Sequence, residues 1–344
     1  DLAASFGERL SVRLLAAACR EAGVRAAPLD AEAAGVLTDG VFGGATPDLA
    51  ATEKRFATEI APRVETGDVP ILTGYYGVDA QGHVTTFGRG GSDYSAAIAA
   101  YALPARRLEV WKDVDGYLTA DPRICPDARP IVEMSYDEAA ELSYLGGEIL
   151  HPRTVEPVAR KGIPIVVKNT NRPEPDGTII EAPRPEHSRE FRGVAVKDGL
   201  AILKLSGPGM AYTPGIGRRV FTALGDAGVN VYNMAASQAS FALLVNGADL
   251  ETGLAALAGV DGVVRGVETI RDRTLVCFVG QAIGSTPGVA GKIFSTVGRA
   301  GVNVEMIMVG ASDMALNFVV PTTQRTQAVR ALHAEFLAGE AKRA

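Results

Sequence analysis

The sequence predicts an α/β fold in its first half and a repeated α+β unit in its second half. Strand-like and helix-like segments alternate over residues 26–167, which is typical of a mostly parallel sheet flanked by helices. In the second half, Pro214-Gly215-Ile216 recurs as Pro287-Gly288-Val289, and Gly228-Val229-Asn230 recurs as Gly301-Val302-Asn303. The two motifs recur at the same offset (214 to 287 and 228 to 301), as expected for two copies of one folding unit.

The composition argues against nucleic-acid binding, membrane insertion and a disulfide-stabilised fold. The chain has 344 residues, 47% of them hydrophobic, and a net charge of −6, which gives no electrostatic reason to bind nucleic acid or an anionic membrane. The three cysteines are widely spaced and odd in number, so we expect reduced thiols and a cytoplasmic location without a membrane segment. The four histidines lack metal-ligand spacing with cysteines, and no metal ligands are assigned to the chain's own residues.

The first half predicts helices and strands in alternation. Leu10, Leu14 and Cys19 have helical spacing, and Gly23 ends that helix. Further helices are predicted at 48–64, from residue 92 or 93 to about 103, at 136–145 and at 152–161. Strands are predicted at 26–29, 69–72, 84–87, 108–111, 162–167 and 177–180, and residues 75–81 are predicted to be a loop.

The stretch from Thr85 to Ala96 is the most informative part of the first half. Three glycines stand at a strand-to-helix turn beside Arg89, and Ser92 or Asp93 is the predicted N-cap. Free backbone N–H groups and the positive end of a helix dipole favour an anion there, either a carboxylate or a phosphate. The alternative is a purely structural glycine turn.

Three polar, glycine-bearing loops follow strands in this half. They begin at Gly74, at Gly88–Asp93 and at Lys112–Gly116. Ligands of open α/β sheets bind beyond the carboxyl ends of the strands, so the three loops together predict a ligand site at one edge of the sheet.

Each copy of the repeat reads as strand, helix, strand, strand, helix, with helices on one face of an antiparallel sheet. The first copy's pieces are predicted at 200–205, 217–227, 229–234, 241–245 and 250–257, and the second copy's at 275–279, 289–300, 302–308, 315–320 and 326–336. A helix that begins after Pro-Gly offers free N–H groups to a ligand carboxylate. The alternative is two plain structural domains.

Several motifs together resemble the aspartate kinase family, in which an amino acid kinase-type catalytic domain precedes two ferredoxin-like ACT domains. The motifs are Ser5–Ser11, Thr85–Ala96, Lys112–Gly116, Asp121–Arg123 and Leu150–Pro152. The resemblance covers essentially the whole chain. It implies a catalytic domain at 1–185 and ACT domains at 194–270 and 271–344, although one ACT unit is inserted within the other in this family.

The resemblance implies that ATP phosphorylates the side-chain carboxylate of L-aspartate to 4-phospho-L-aspartate, the first step toward lysine, threonine and methionine. Mg²⁺ would bridge the phosphate oxygens, and an ionised carboxylate nucleophile needs no general base. The implied substrate-binding residues are Glu8, Arg89, Ser92 and Asp93, of which Arg89 and Asp93 are also the implied catalytic residues. Arg89 would hold the carboxylate of aspartate, and Asp93 would take its ammonium group.

The resemblance also implies a nucleotide site with two departures from the family. The implied residues are Lys112, Asp113, Leu118, Arg123 and Glu148. Glu148 stands where the family usually carries lysine, so a cation facing the phosphates is replaced by an anion. The family's Lys-Phe-Gly-Gly-Thr-Ser loop has no match, and the chain starts at Asp1, so we expect an N-terminally truncated piece. The alternative is a non-catalytic amino-acid-binding regulatory subunit or a degenerate kinase.

The ACT units imply feedback inhibition by lysine or threonine and a homodimer formed through these units. The implied effector-binding residues are Gly215, Ile216, Asn230, Gly288, Val289 and Asn303. Tyr232 stands where an acidic residue would favour a lysine effector, which favours threonine or a loss of regulation.

Overall fold

The computed structural model describes residues 1–145, 149–183, 191–207, 214–260, 266–281, 283–310 and 312–338. The chain divides into two compact units. Unit 1 contains residues 1–117 and 130–184, and unit 2 contains residues 118–129 and 185–344. The chain therefore leaves unit 1 after Tyr117, folds with unit 2 over the 118–129 segment, and returns to unit 1 at Pro130.

Unit 1 begins with a long helix and continues with short strands and helices. Its helices are α1 (Leu2–Glu21), α2 (Ala31–Ala34), α3 (Leu49–Glu59), α4 (Ala61–Glu65), α5 (Gly91–Ala102), α6 (Tyr136–Leu145) and α7 (Pro152–Arg160). Its strands are β1 (Ala26–Leu29), β2 (Val69–Leu72), β3 (Tyr76–Val78), β4 (Val84–Thr86), β5 (Leu108–Lys112), β6 (Glu133–Ser135), β7 (Ile165–Asn169) and β8 (Thr178–Glu181).

Parallel pairing predominates in unit 1, as the alternation of elements predicts. The pairs β1–β2, β5–β7 and β6–β8 are parallel, whereas β7–β8 and the hairpin β3–β4 are antiparallel. In the sheet of order β5-β7-β8-β6, Lys112 at the end of β5 lies opposite Asn169 at the end of β7. The carboxyl ends of these two strands therefore form one edge.

The prediction of a loop at residues 75–81 is wrong, because Tyr76–Val78 is β3. The strand has three residues and a central glycine, so it lacks the longer alternation that identifies a strand in a sequence. The Tyr76 ring is fully buried with Phe56, Phe87 and Ile98 in the core of this part of unit 1. The core also contains Tyr94, whose ring meets the ring of Phe87 edge-on at 5.4 Å, so the turn between β4 and α5 rests on packed aromatic rings.

Unit 2 contains both copies of the repeat. Its helices are α8 (Ile216–Asp226), α9 (Leu250–Ala258), α10 (Val289–Arg299) and α11 (Arg325–Leu332), and α11 continues as a π-helical turn over His333–Leu337. Its strands are β9 (Phe191–Ser206), β10 (Val231–Ala236), β11 (Ser240–Asn246), β12 (Gly266–Gly280), β13 (Met306–Met308) and β14 (Ala315–Pro321). No helix in the described part of the chain is long and apolar enough to cross a bilayer.

The two copies share two long antiparallel strands, in the sheet order β10-β11-β9-β12-β14-β13. The second half of β9 pairs with β11, and the second half of β12 pairs with β14. The predicted strands at 200–205 and 275–279 are only these second halves, since the first half of each strand pairs within the other copy. Both strands change register near Gly199 and Asp272, which have φ angles of 73° and 58°.

Each copy has its own apolar core. In the first copy, Val220 of α8 and Leu257 of α9 pack with Leu203 and Leu243 of the sheet. In the second copy, Ile293 of α10 and a set of phenylalanines form the corresponding core. The rings of Phe191, Phe278 and Phe336 lie 5.0–5.2 Å apart in that core. In both copies the helices therefore pack against the sheet through an apolar core.

Candidate functional site

The glycine turn between β4 and α5 is shaped by close backbone packing. Gly90 is the N-cap of α5 with a φ of 72°, and a Cβ at this position would lie 2.4 Å from the Cβ of His151. The prediction of Ser92 or Asp93 as the N-cap is wrong, because the left-handed glycine starts the helix earlier. Ser92 and Asp93 instead lie in the first turn of α5, where an acidic side chain is favoured by the helix dipole.

The side chain of Arg153 supports this turn through two hydrogen bonds and one ring contact. One of its guanidinium nitrogens donates to the carbonyl oxygen of Ala45 at 2.6 Å, the other donates to that of Phe87 at 3.3 Å, and the guanidinium lies 4.6 Å from the centroid of the Tyr94 ring. These contacts fix the backbone just before Gly88. The sequence motif Leu150–Pro152 precedes this arginine, but nothing in its spacing identified Arg153 as a support.

The three predicted loops meet, as their placement after strands predicts. Lys112 Nζ lies 2.8 Å and 3.0 Å from the two carboxylate oxygens of Asp93. A Cβ on Gly74 would lie 3.1 Å from the Cα of Ser92, so the first loop also passes close to this turn. The Ser92 hydroxyl donates to a carboxylate oxygen of Glu8 at 3.3 Å. Glu8, Ser92, Asp93 and Lys112 therefore form one contiguous polar patch on unit 1.

The charges of Arg89, Arg153 and Asp93 act on the side chain of His151. Burial lowers the pKa of His151, and the nearby positive charges of Arg153 and Arg89 lower it further, while Asp93 opposes them. His151 is therefore the neutral member of a charged neighbourhood. Burial raises the pKa of Tyr117, whose hydroxyl lies 2.5 Å from that of Ser143, and the negative charge of Asp93 adds to this increase.

The edge formed by β5 and β7 adds polar residues that the sequence analysis missed. Asn169 donates from its amide to Asp115 at 2.7 Å, and Arg172 lies 3.2 Å from the same carboxylate. The parallel pairing of β5 with β7 could have been used to find them, because their carboxyl ends share an edge. Asp113 lies between this group and Lys112 in the chain and is exposed.

Two of the remaining predicted nucleotide residues belong to unit 2. Leu118 and Arg123 lie on the 118–129 segment, which folds with unit 2. The Arg123 guanidinium is paired with Asp121 at 2.8 Å and lowers the pKa of that carboxyl. Glu148 lies outside the described residues.

Within the described ranges, no cluster of three or more His, Cys, Asp and Glu side chains could hold a metal ion on its own. A magnesium ion carried by nucleotide phosphates needs only one or two protein carboxylates, so this donor set is compatible with an ion that arrives with its nucleotide.

Comparison with known proteins identifies the family. The model of the amino acid kinase family matches residues 1–169, and an ACT domain model matches residues 203–259 and 276–336. An aspartokinase of Bacillus sp. (strain MGA3) is 34% identical over 350 residues, which cover 99% of this chain and 83% of the relative. The chain belongs to the aspartokinase family. This confirms the resemblance and the fold class that the motifs predict.

Other aspartokinases extend the comparison. The bifunctional aspartokinase/homoserine dehydrogenase of Haemophilus influenzae is 36% identical over 282 residues, 79% of this chain. The chain spans only 34% of that protein, and 38% and 63% of two Arabidopsis thaliana aspartokinases. The crystal structure of E. coli aspartokinase III in complex with aspartate and ADP has a TM-score of 0.81 at 33% identity, covering 95% of this chain and 73% of that one.

In this aspartokinase chain, the effector residues predicted for the first ACT copy lie around α8 and the turn that follows it. Gly215 is the N-cap of α8 with a φ of 78°, and Ile216 is the buried first residue of the helix. Asn230 lies at the other end of α8, beside a groove of 360 Å³ lined by Phe221, Leu224, Gly225, Val229, Asn230, Val231, Asn233 and Met234. Of the three predicted residues, only Asn230 lines this groove.

In the second ACT copy, polar groups of Asn303 and Glu305 have partners within the copy. Gly288 is the N-cap of α10 with a φ of 83°, and Val289 is the first residue of the helix. The backbone N–H of Asn303 donates to the side-chain oxygen of Gln324 at 2.8 Å. Glu305, which corresponds to Tyr232 of the first copy, forms an ion pair with Arg273. The two copies are thus alike in backbone and different in available polar groups.

Proposed function

We propose that this aspartokinase chain carries the acceptor site and part of the nucleotide site of a kinase that transfers the γ-phosphoryl group of ATP to the side-chain carboxylate of L-aspartate. The observation that carries the proposal is the contact of Lys112 with Asp93. This contact brings the first turn of α5, the proposed amino-acid site, next to the end of β5, the proposed nucleotide site. The complex of E. coli aspartokinase III with aspartate and ADP supports the same substrate pair.

The acceptor would bind at the first turn of α5. Asp93 and Glu8 supply carboxylates for the ammonium group, with Ser92 bridging toward Glu8. Arg89 supplies a planar guanidinium, which matches a carboxylate through two parallel hydrogen bonds. Asymmetric charge of this kind orients an amino acid, because its ammonium and carboxylate ends are attracted to opposite sides of the turn.

Lys112 would change partner when the nucleotide binds. Its ammonium group now bonds both oxygens of Asp93. Phosphate oxygens carry more negative charge and would draw Lys112 toward them, which leaves Asp93 to the ammonium group of aspartate. Nucleotide binding should therefore tighten aspartate binding.

Positioning and charge are most of what phosphoryl transfer needs from a protein. Lys112, Asp113, Leu118, Arg123 and position 148 remain the proposed nucleotide residues. The reacting carboxylate of aspartate is ionised at neutral pH, so no side chain has to remove a proton. When bound, Mg²⁺ would neutralise charge on the phosphates, with Asp113 as the exposed carboxylate placed to hold it.

An ADP-release assay on this chain, run with and without L-aspartate, tests the proposal. Aspartate-dependent release is the expected result, and its absence would overturn the proposal. Arg89→Ala should raise the KM for aspartate about tenfold or more, since a charge-assisted bidentate contact is lost, with the KM for ATP within about twofold. Arg20→Ala, an exposed arginine on α1, is the matched control.

The alternative of a degenerate kinase rests on Glu148. If the parent chain binds aspartate and ATP without turnover and Glu148→Lys restores ADP release, the chain is a degenerate kinase that Glu148 inactivates. If the parent chain turns over and Glu148→Lys changes the rate little, this position is dispensable and the kinase reading stands.

The proposed partners follow from the ACT domains. E. coli aspartokinase III has been crystallised with lysine and aspartate, so we propose an amino-acid effector, lysine or threonine, and a homodimer formed through the ACT units. The proposed pathway is the synthesis of lysine, threonine and methionine. Calorimetry with the three amino acids tests the effector, and sedimentation analysis tests the dimer.

A further inference from the structure

The 118–129 segment packs into the second ACT copy. Ala120, Ile124 and Cys125 are at most 7% exposed and belong to the core formed by Phe278 and Phe336. The same segment carries Leu118 and Arg123, two of the proposed nucleotide residues, and the Arg123 side chain is 89% exposed. One side of the segment is therefore anchored in the regulatory unit and the other is presented to solvent.

Thr119 is hydrogen-bonded through its backbone N–H, its carbonyl oxygen and its hydroxyl. Its backbone N–H donates to the carbonyl oxygen of Arg129 at 2.8 Å, and its carbonyl oxygen accepts from the N–H of Val194 at 2.9 Å. Its hydroxyl oxygen accepts from the N–H of Arg129 at 2.9 Å and lies 2.9 Å from Nε2 of His333. The hydroxyl and Nε2 of His333 therefore share a hydrogen bond, in which the tautomer of the ring decides which of the two donates.

The end of α11 supplies the remaining anchors. His333 is only 2% exposed, and burial and the charge of Arg129 lower its pKa, opposed by Asp127. The neutral ring carries a hydrogen on one nitrogen and a lone pair on the other, so Nε2 either accepts the Thr119 hydroxyl proton or donates to the hydroxyl oxygen. Arg330 donates from Nε to the carbonyl oxygen of Ile124 at 2.8 Å, and the Arg129 guanidinium donates to the carbonyl oxygen of Leu337.

The first ACT copy lacks these anchors. Its last helix, α9, starts at Leu250 after a 3-10 turn, as α11 starts at Arg325 after the corresponding turn. Counted from these starts, Ala255 stands in the place of Arg330, and Ala258 in the place of His333. Both alanines are exposed. The two polar residues are therefore specific to the copy that holds the 118–129 segment, and both bond to that segment.

We propose that His333 is a positioning residue that, through Thr119, sets the conformation of the nucleotide-binding segment carrying Leu118 and Arg123. The last helix of the second ACT copy would then control the affinity for ATP and leave the affinity for aspartate unchanged. This inference rests on the proposed function, because it assigns a support to part of the proposed nucleotide site.

Substitution of His333 tests the inference. His333→Leu keeps much of the bulk of the ring and removes its hydrogen-bonding nitrogens, whereas His333→Gln keeps an amide that can accept from or donate to the Thr119 hydroxyl. Thr119→Val removes the hydroxyl from the other side and serves if His333→Leu fails to fold. Glu335→Ala is the matched control, because Glu335 lies on the same π-helical turn and pairs with the exposed Lys292 at 3.0 Å.

Two readouts are needed. Steady-state assays give the KM for ATP and for aspartate separately. Equilibrium binding of ATP can be followed without turnover by the fluorescence of Trp111, the one tryptophan of the sequence, which is 43% exposed and directly precedes Lys112.

His333→Leu and Thr119→Val should each weaken ATP binding about tenfold, the upper range for one hydrogen bond, with the KM for aspartate within about twofold. His333→Gln and Glu335→Ala should bind ATP like the parent chain. Equal losses for ATP and aspartate, or no rescue by glutamine, would show a merely structural role and overturn the inference. If the parent chain itself neither binds ATP nor turns over, it is the proposed function that fails.

Discussion

The two ACT copies of this aspartokinase chain have the same backbone plan and different polar groups. In the first copy, Asn230 and Asn233 line a groove beside the turn after α8. The Nζ atom of Lys197 lies 4.9 Å from the centroid of the Tyr232 ring. In the second copy, the backbone N–H of Asn303 donates to Gln324, Glu305 pairs with Arg273, and His333 after the last helix contacts Thr119 of the 118–129 segment. The comparison suggests that the first copy receives the effector and the second links regulation to the nucleotide site.

The difference arises from few residues. The strand order, the left-handed glycines before both helices and the buried faces are the same in the two copies. What differs is the set of polar partners, since Glu305 pairs with Arg273 in the second copy whereas Tyr232 in the first lies beside Lys197. Variants made in pairs at corresponding positions can therefore test the division of roles.

The largest expected effect is the loss of a core side chain. Phe278→Ala in the second copy should lower the free energy of unfolding by about 3–5 kcal/mol, and Leu205→Ala, at the corresponding position of the first, by about 2–5 kcal/mol. Both side chains are fully buried. Urea unfolding followed by circular dichroism measures the stability. Only Phe278→Ala should also raise the KM for ATP, since it removes packing beneath Ile124 and Cys125. An equal rise for Leu205→Ala would refute the division of roles.

The next effect concerns the effector. Asn230→Ala should weaken effector binding about tenfold, as expected when one polar partner is lost, because Asn230 lines the open groove. Asn303→Ala should change it by less than about twofold, because its turn is closed by Gln324. Calorimetry with lysine and threonine measures both affinities. Comparable losses in the two variants would mean that both copies bind effector.

Sequence reasoning predicted the parts of the molecule that depend on local signals. Recurring motifs revealed the repeat, and loops that follow strands predicted that the segments of Asp93 and Lys112 meet. It did not find β3, whose three residues are too few for a periodicity. It also could not separate Leu118 and Arg123 from Lys112, because their assignment to unit 2 depends on long-range contacts such as that of Thr119 with His333.

Arg153 and the pair of Asn169 with Asp115 were missed for the same reason. Each acts through a partner distant in sequence, and no short motif encodes the distance. The roles of Glu8, Arg89 and Asp93 follow from the family resemblance, and the geometry is compatible with them.

A smaller effect is expected from the ion pair that closes the second copy. The side chains of Arg273 and Glu305 are 17% and 20% exposed. Glu305→Gln should lower the free energy of unfolding by about 1–2 kcal/mol, because the half-buried guanidinium loses its counter-charge. Tyr232→Phe, at the corresponding position of the first copy, keeps the ring beside Lys197 and should cost less than about 0.5 kcal/mol. Thermal or urea unfolding distinguishes them, and equal costs would argue against closure of the second copy by this pair.

The smallest effect is a dependence of stability on pH that only the second copy should show. The pKa of His333 is lowered in the folded chain by burial and by Arg129, whereas the unfolded chain titrates near 6.5. Below about pH 6.5 the unfolded state therefore binds a proton that the folded state does not, so stability is present above this pH and is lost as the pH falls toward the folded pKa.

His333→Gln removes that dependence, whereas Ala258, the corresponding residue of the first copy, contributes none. The free energy of unfolding, measured with urea, should therefore depend differently on pH in the parent chain and in His333→Gln below about pH 6.5, by up to one bound proton, and in parallel above about pH 7.5. His151 in unit 1 titrates in the same direction, but it is present in both proteins and cancels in the difference. Parallel curves over the whole range would mean that His333 binds its proton equally in both states, and that its contact with Thr119 does not require the neutral ring.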